Sequence, residues 1–204
     1  MIATGFLDHE QTMTKLNFDL LDDESAMQTI ETVGKLADDN NIDWALAGGL
    51  AVILYGSDRL TKDVDIIASK KLPLKNEGIL VQGGERYTVK TTKRTVAVDW
   101  ITRSDEAKKF YQHALKDAVL IQETPILTPE WLVILKYIAG RFKDQEDCVF
   151  LLSKKGLVDR RKIKDMVIKI GSVETWAAFK SGLERWYNLA DGKTANLKEG
   201  YIDS

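Results

Sequence analysis

The chain has 204 residues, a formal net charge of −2 and 44% hydrophobic residues, enough for one medium domain with its own core. Near-neutral charge excludes a binder of nucleic acid or acidic membranes that works by bulk charge alone. A single cysteine, Cys148, excludes a disulfide framework and a cysteine-built zinc site. The longest apolar run, Trp44–Gly56, is shorter than the roughly twenty residues that span a bilayer. The opening MIATGFLDHEQ lacks a basic segment followed by an apolar one, so a cytoplasmic protein without a signal peptide is the expectation.

Residues 1–20 lack periodicity and read as a loose arm or a short hairpin-like segment. Either Asp22 or Asp23 can cap a helix in which Ala26, Ile30, Val33, Leu36 and Ala37 recur at helical spacing, ending near Asn40–Asn41. Ile42–Ala47 predicts a short strand, broken by Gly48-Gly49. An apolar helix follows over Leu50–Tyr55, stopped by Gly56, then a polar loop over 58–62 and a strand marked by Val64, Ile66 and Ile67. Residues 70–84 read as linker with a strand at Gly78–Val81. Arg86–Thr91 and Arg94–Ile101 predict a hairpin about Thr92-Lys93.

Asp105–Leu115 predicts a helix and Ala118–Gln122 a strand. From Thr128 the pattern is helical. Thr128 as N-cap, with Pro129 in the first turn, starts a helix reaching Gly140, and three amphipathic segments follow at Asp144–Lys155, Asp159–Ile170 and Glu174–Leu189. The tail from Asp191 is polar. The layout predicts an α+β protein: a small mixed sheet flanked by helices over residues 1–125, and a C-terminal helical bundle over 126–204.

Charge is unevenly spread. Residues 1–43 hold ten acids against Lys15 and Lys35, whereas residues 136–170 hold ten bases against five acids, so the C-terminal part can face a phosphate-bearing ligand. The run Lys154–Lys164 reads as a solvated face, or as one that meets RNA or an acidic partner.

Chemistry concentrates in WALAGGLAVILYGSDRLTKDVDIIAS, Trp44–Ser69. Asp63 and Asp65 stand two residues apart on a strand and so project to the same side, where two carboxylates repel. A divalent metal resolves that repulsion. Asp99 sits inside the strand-like run VAVDWI with Trp100 on the opposite face, so it is either edge-exposed or recruited as a third carboxylate. Gly48-Gly49 offers backbone N–H groups and no Cβ atoms, which suits phosphate. Magnesium prefers carboxylate and phosphate oxygens, and three carboxylates with a triphosphate can hold two such ions. Taken singly, a Gly-Gly is a turn and an Asp-x-Asp a solvated pair; their order and spacing together favour a metal–phosphate site.

This arrangement resembles the polymerase-β-type nucleotidyltransferase superfamily, which carries a Gly-Gly or Gly-Ser turn, an Asp-x-Asp roughly a dozen residues on, and a third acid on a neighbouring strand. More closely, AGGLAVILYGSDRLTKDVDI resembles small bacterial nucleotidyltransferases of the abortive-infection AbiEii type, whose Arg-x-Ser/Thr-x-Asp-x-Asp string is matched by Arg59, Thr61, Asp63 and Asp65. The run LKYIAGRFKDQEDCVFL resembles their helical region, with Lys136, Arg141, Lys143, Asp144 and Asp147 in place. The match covers roughly residues 42–155.

The resemblance implies metal binding by Asp63, Asp65 and Asp99, with Asp99 also helping to deprotonate an acceptor hydroxyl. It implies β/γ phosphates at Gly48 and Gly49, with Arg59, Thr61 and Lys136 as nucleotide neighbours. It further implies two Mg2+ ions (Mn2+ as alternative), an NTP such as ATP, an acceptor that is a tRNA end, a protein or a small molecule, and a cognate antitoxin in toxin-like relatives. A catalytically inactive nucleotide- or partner-binding module is the alternative.

The plain readings stand beside these. Lys136 either snorkels from its helix or reaches a nucleotide. Asp144 and Asp147 cap or ion-pair their helix, Cys148 is core, and Trp131, Trp176 and Trp186 pack helices.

Overall fold

The computed structural model describes residues 20–193. The arm expected over residues 1–20 lies almost wholly outside this range, as does the tail from 194. Helix α1, Asp23–Asp39, begins where Asp22 accepts from the Ser25 backbone N–H at 3.0 Å, and it turns Ala26, Ile30, Val33 and Ala37 inward. Strand β1, Trp44–Leu46, leads through the glycine turn into α2, Gly48–Leu54. Strand β2 is Asp63–Ala68, β3 is Gly78–Ile79, and the hairpin forms from β4, Glu85–Lys90, and β5, Thr95–Ile101. Its loop closes through the Thr91 N–H to the Arg94 carbonyl at 2.8 Å, centred on Thr92-Lys93 as expected.

Helix α3, Lys108–Lys116, precedes β6, Val119–Ile121, and β7, Thr124–Ile126. Four helices complete the described chain: α4, Pro129–Ala139; α5, Phe142–Ser153; α6, Arg160–Ile170; and α7, Val173–Ala190. The architecture is α+β, as expected: among the described residues, seven helices surround one mixed sheet ordered β3-β4-β5-β2-β1-β7-β6. The β2–β5 and β1–β7 pairs are parallel and the rest antiparallel. No helix of the described residues is long and apolar enough to cross a membrane.

Alternation divides the two sheet faces. Trp44 and its register partner Ala68 share a face with Ile66 and Val64, and α1 packs there, since a Cβ on Gly34 would lie 2.5 Å from the Trp44 ring. Asp63, Asp65 and Ile67 take the other face, beneath α2, α3 and α4. The apolar core runs continuously from Ile30 through Trp100 and Trp131 to Leu183. Cys148 belongs to it: its Sγ approaches the Val133 carbonyl at 3.8 Å, and burial pushes the thiol up. Trp131 and Trp186 are buried packing residues, with Trp186 edge-on to Tyr137.

Strand β7 has no counterpart among the expected elements. It joins β6 through Gln122-Glu123, both at positive φ (47° and 68°), a two-residue turn of the primed kind that favours Asn and Gly. Pro125 inside a three-residue strand hides it further. Thr128 also differs from expectation. It occupies the N-cap position of α4, but its hydroxyl makes no cap bond and is buried without a hydrogen-bond partner among the described residues. An unsatisfied buried hydroxyl costs about 1–3 kcal/mol, so Thr128→Val is expected to raise stability by about 1 kcal/mol in urea unfolding, where a working cap would lose a similar amount.

Candidate functional site

Parallel pairing of β2 with β5 sets Asp65 beside Asp99, and Asp63 beside Ala97. Neighbouring strands lie about 4.8 Å apart and all three acids fall on one face, so one patch of sheet carries them. Asp99 is therefore interior to the sheet, flanked by β4 and β2, and not at an edge. Asp65 and Asp99 are buried, while Asp63 is half-buried and accepts from the Thr61 hydroxyl at 3.2 Å.

The glycine turn stands directly over this patch. Gly48 has φ +58°, and a Cβ there would lie 1.8 Å from Asp65 Oδ2; the Gly49 N–H donates to the same oxygen at 3.4 Å. Only a residue without a side chain lets backbone come so near the carboxylate. Gly48→Ala is expected to cost about 2–4 kcal/mol, from left-handed strain plus overlap. Gly56→Ala is the control: φ is +91° with nothing within 4 Å of the added atom, so strain alone, about 1–2 kcal/mol, is expected there in the same denaturant titration.

Burial pushes the Asp65 carboxyl above the usual carboxylate range, and the charges of Asp63 and Asp99 push the same way. Lys136 and the Gly49 N–H oppose them. The donor atoms are all oxygens, the kind a hard divalent cation takes, and like-charge repulsion is what such a cation would relieve.

The third carboxylate is already engaged. Arg86 on β4 faces Asp99 in register and grips it as a fork, Nε to Oδ1 at 2.7 Å and Nη2 to Oδ2 at 2.9 Å. Asp99's hydrogen bonds, and beyond them the charges of Asp63 and Asp65, hold the guanidinium charged. Among the described residues no three His, Cys, Asp or Glu side chains converge into a group able to hold a metal ion. Arg86 was absent from the expected site, yet the hairpin about Thr92-Lys93 implies its pairing with Asp99: counting outward from that turn places residue 86 opposite residue 99.

A second cluster closes the site from the helical side. Lys136 does not snorkel. It is 6% exposed, with its ammonium 3.2 Å from Asp144 Oδ1 and 2.5 Å from Asp147 Oδ2. Arg59 also pairs with Asp147, and Arg141 with Asp144 at 2.8 Å. Burial pushes the Asp144 carboxyl up, but the Arg141 hydrogen bond and the Lys136 charge outweigh it and hold the group below its ordinary value. Asp144 also caps its own helix, accepting from the Arg141 backbone N–H at 3.3 Å. Lys136 and Arg141 line one small pocket with Gly48, Asp65, Tyr111 and the apolar side chains of Ile67, Ile101 and Leu132. The structure thus gathers Gly48, Gly49, Asp63, Asp65, Asp99, Thr61 and Lys136 in one region, and ties Arg59 to it through Asp147. His113 lies on α3 and Lys154–Lys164 form a largely exposed surface.

No protein-family model and no curated protein matches the chain. Among solved structures it is similar to an antigenic nucleotidyltransferase-like protein from Paracoccidioides brasiliensis, at 18% identity and TM-score 0.45, covering 88% of this chain and 97% of that one. It is also similar to a proposed nucleotidyltransferase from H. pylori, at 16% identity and TM-score 0.46, covering 90% and 89%. Likeness at this level assigns neither a family nor an activity.

Proposed function

We propose that the chain is a magnesium-dependent nucleotidyltransferase, moving a nucleoside monophosphate from an NTP such as ATP to an acceptor hydroxyl and releasing pyrophosphate. The observation that carries the reading is Asp63, Asp65 and Asp99 on one sheet face, with Gly48 pressed against Asp65. Bound Mg2+ or Mn2+ would neutralise triphosphate charge and activate the attacking oxygen. Asp63 and Asp65 would hold it, with Thr61 fixing the Asp63 carboxylate. Asp99 would complete the ligand set and accept the acceptor's proton as the new oxygen–phosphorus bond forms and the bond to pyrophosphate breaks.

The glycine turn leaves room for the β/γ phosphates. Lys136, held by Asp144 and Asp147, would set a fixed positive charge beside them, and Arg59 is anchored through the same Asp147. The cleft would lie between the sheet and the helices from α4 onward. An AbiEii-like, toxin-like role in the cytoplasm belongs to this proposal, with an RNA such as tRNA, a protein or a small molecule as acceptor and an antitoxin as partner. One observation favours a nucleotide-binding module without catalysis: Arg86 occupies Asp99.

α-Labelled NTPs offered to total RNA, total protein and aminoglycosides separate the two readings. Transfer to one acceptor class by the wild type and none by Asp65→Asn is the expected result. Equal silence from both, while both bind NTP, favours the module.

A further inference from the structure

The geometry points to Arg86 as a built-in competitor for the metal, a latch that holds Asp99 out of the ligand set until a divalent cation displaces it. This rests on the metal-site reading above. Three observations carry it. Arg86 and Asp99 are register partners on adjacent strands, so the sheet itself aims one at the other. The fork engages both carboxylate oxygens, at 2.7 and 2.9 Å, and Asp99 is buried, which makes the pair a strong, charge-assisted one. The Arg86 side chain is 47% exposed, so it has solvent to swing into without disturbing the core.

A carboxylate has lone pairs beyond the two that a fork uses. The competition is therefore partly one of charge: a guanidinium fixed on Asp99 repels a dication brought to Asp63 and Asp65. Release of Arg86 removes that repulsion and adds a ligand in one motion. Arg86 is in this sense a positioning residue, acting through Asp99 and not on the reacting atoms.

The test is Mn2+ binding without nucleotide, read from the free-ion electron paramagnetic resonance signal, on the wild type, Arg86→Ala, Asp99→Asn and the double variant. Arg86→Ala is expected to bind Mn2+ about tenfold tighter, since a charge-assisted pair no longer competes. That gain is expected to vanish in the Asp99→Asn background, because without Asp99 there is nothing to release. Arg86→Gln, close in shape and on an exposed position, is expected to repeat the gain and guards against misfolding of the alanine variant. An equal gain with and without Asp99 overturns the latch, leaving Arg86 a distant charge; so does wild-type binding that Arg86→Ala leaves unchanged, with the metal site still standing. Absence of Mn2+ binding from all the chains overturns both the latch and the reading on which it rests.

Discussion

Asp65→Asn is expected to lower nucleotidyl transfer by at least about a thousandfold, ~4 kcal/mol of barrier, while raising the thermal stability of the metal-free protein. Asp65 is buried against two other acids and accepts one weak N–H bond, so its charge is held at a cost to the fold. The sign follows from the raised carboxyl. A group whose folded pKa exceeds its unfolded value stabilises the fold fully below the unfolded pKa, near 3.8, and that contribution is lost as pH rises through the folded pKa. At neutral pH the native chain carries the penalty, and the amide removes it. Each ~1 kcal/mol gained would appear as about 2–4 °C in Tm at this chain length. Calorimetry in EDTA checks this directly, and the advantage of Asp65→Asn is expected to shrink as pH falls toward 4. A variant at once inactive and more stable marks a residue kept for function.

Lys136→Met is expected to cost about 3 kcal/mol of stability. Its ammonium touches both Asp144 and Asp147, which are 0% and 4% exposed. Arg141 and Arg59 remain as partners, which keeps the loss at the low end of what an orphaned buried charge costs. Adding Asp147→Asn removes one orphaned charge and is expected to recover roughly half of the loss, a coupling that urea titration of the two single variants and the double variant would resolve. Acid behaviour follows with the opposite sign to Asp65. Asp144 has a lowered pKa, so its stabilising contribution is present above 3.8 and is lost as pH falls through the folded value. Lys136→Met is therefore expected to flatten that acid limb.

How far the chain could be read depended on how local each signal was. Period-two spacing put Asp63 and Asp65 on one face, helical spacing put Ile30, Val33 and Ala37 inside α1, and the Thr92-Lys93 turn set the β4–β5 hairpin. These are effects of a few residues on their neighbours. Strand β7 escaped because its turn forces Gln122 and Glu123 into positive φ, which tertiary pairing with β1 imposes and side-chain preference does not announce. The partners of Lys136 escaped for a similar reason: a helical lysine, even one read as a nucleotide neighbour, does not announce that Asp144 and Asp147 from the next helix bury it. Arg86 is the instructive miss. Its place opposite Asp99 follows from the hairpin register, but only when the count is carried six residues out from the turn on each side.

Nucleotidyl transfer is separated from other uses of an NTP by where the label travels. ATP labelled on the α- or the γ-phosphorus, incubated with Mg2+ and an acceptor mixture of RNA, protein and aminoglycosides, gives the direct measurement. Label from the α position in the acceptor, label from the γ position in pyrophosphate, and neither with Asp65→Asn is the result expected of the Asp63–Asp65–Asp99 site. Label from the γ position in the acceptor, or silence from the wild type while NTP is bound, would contradict it.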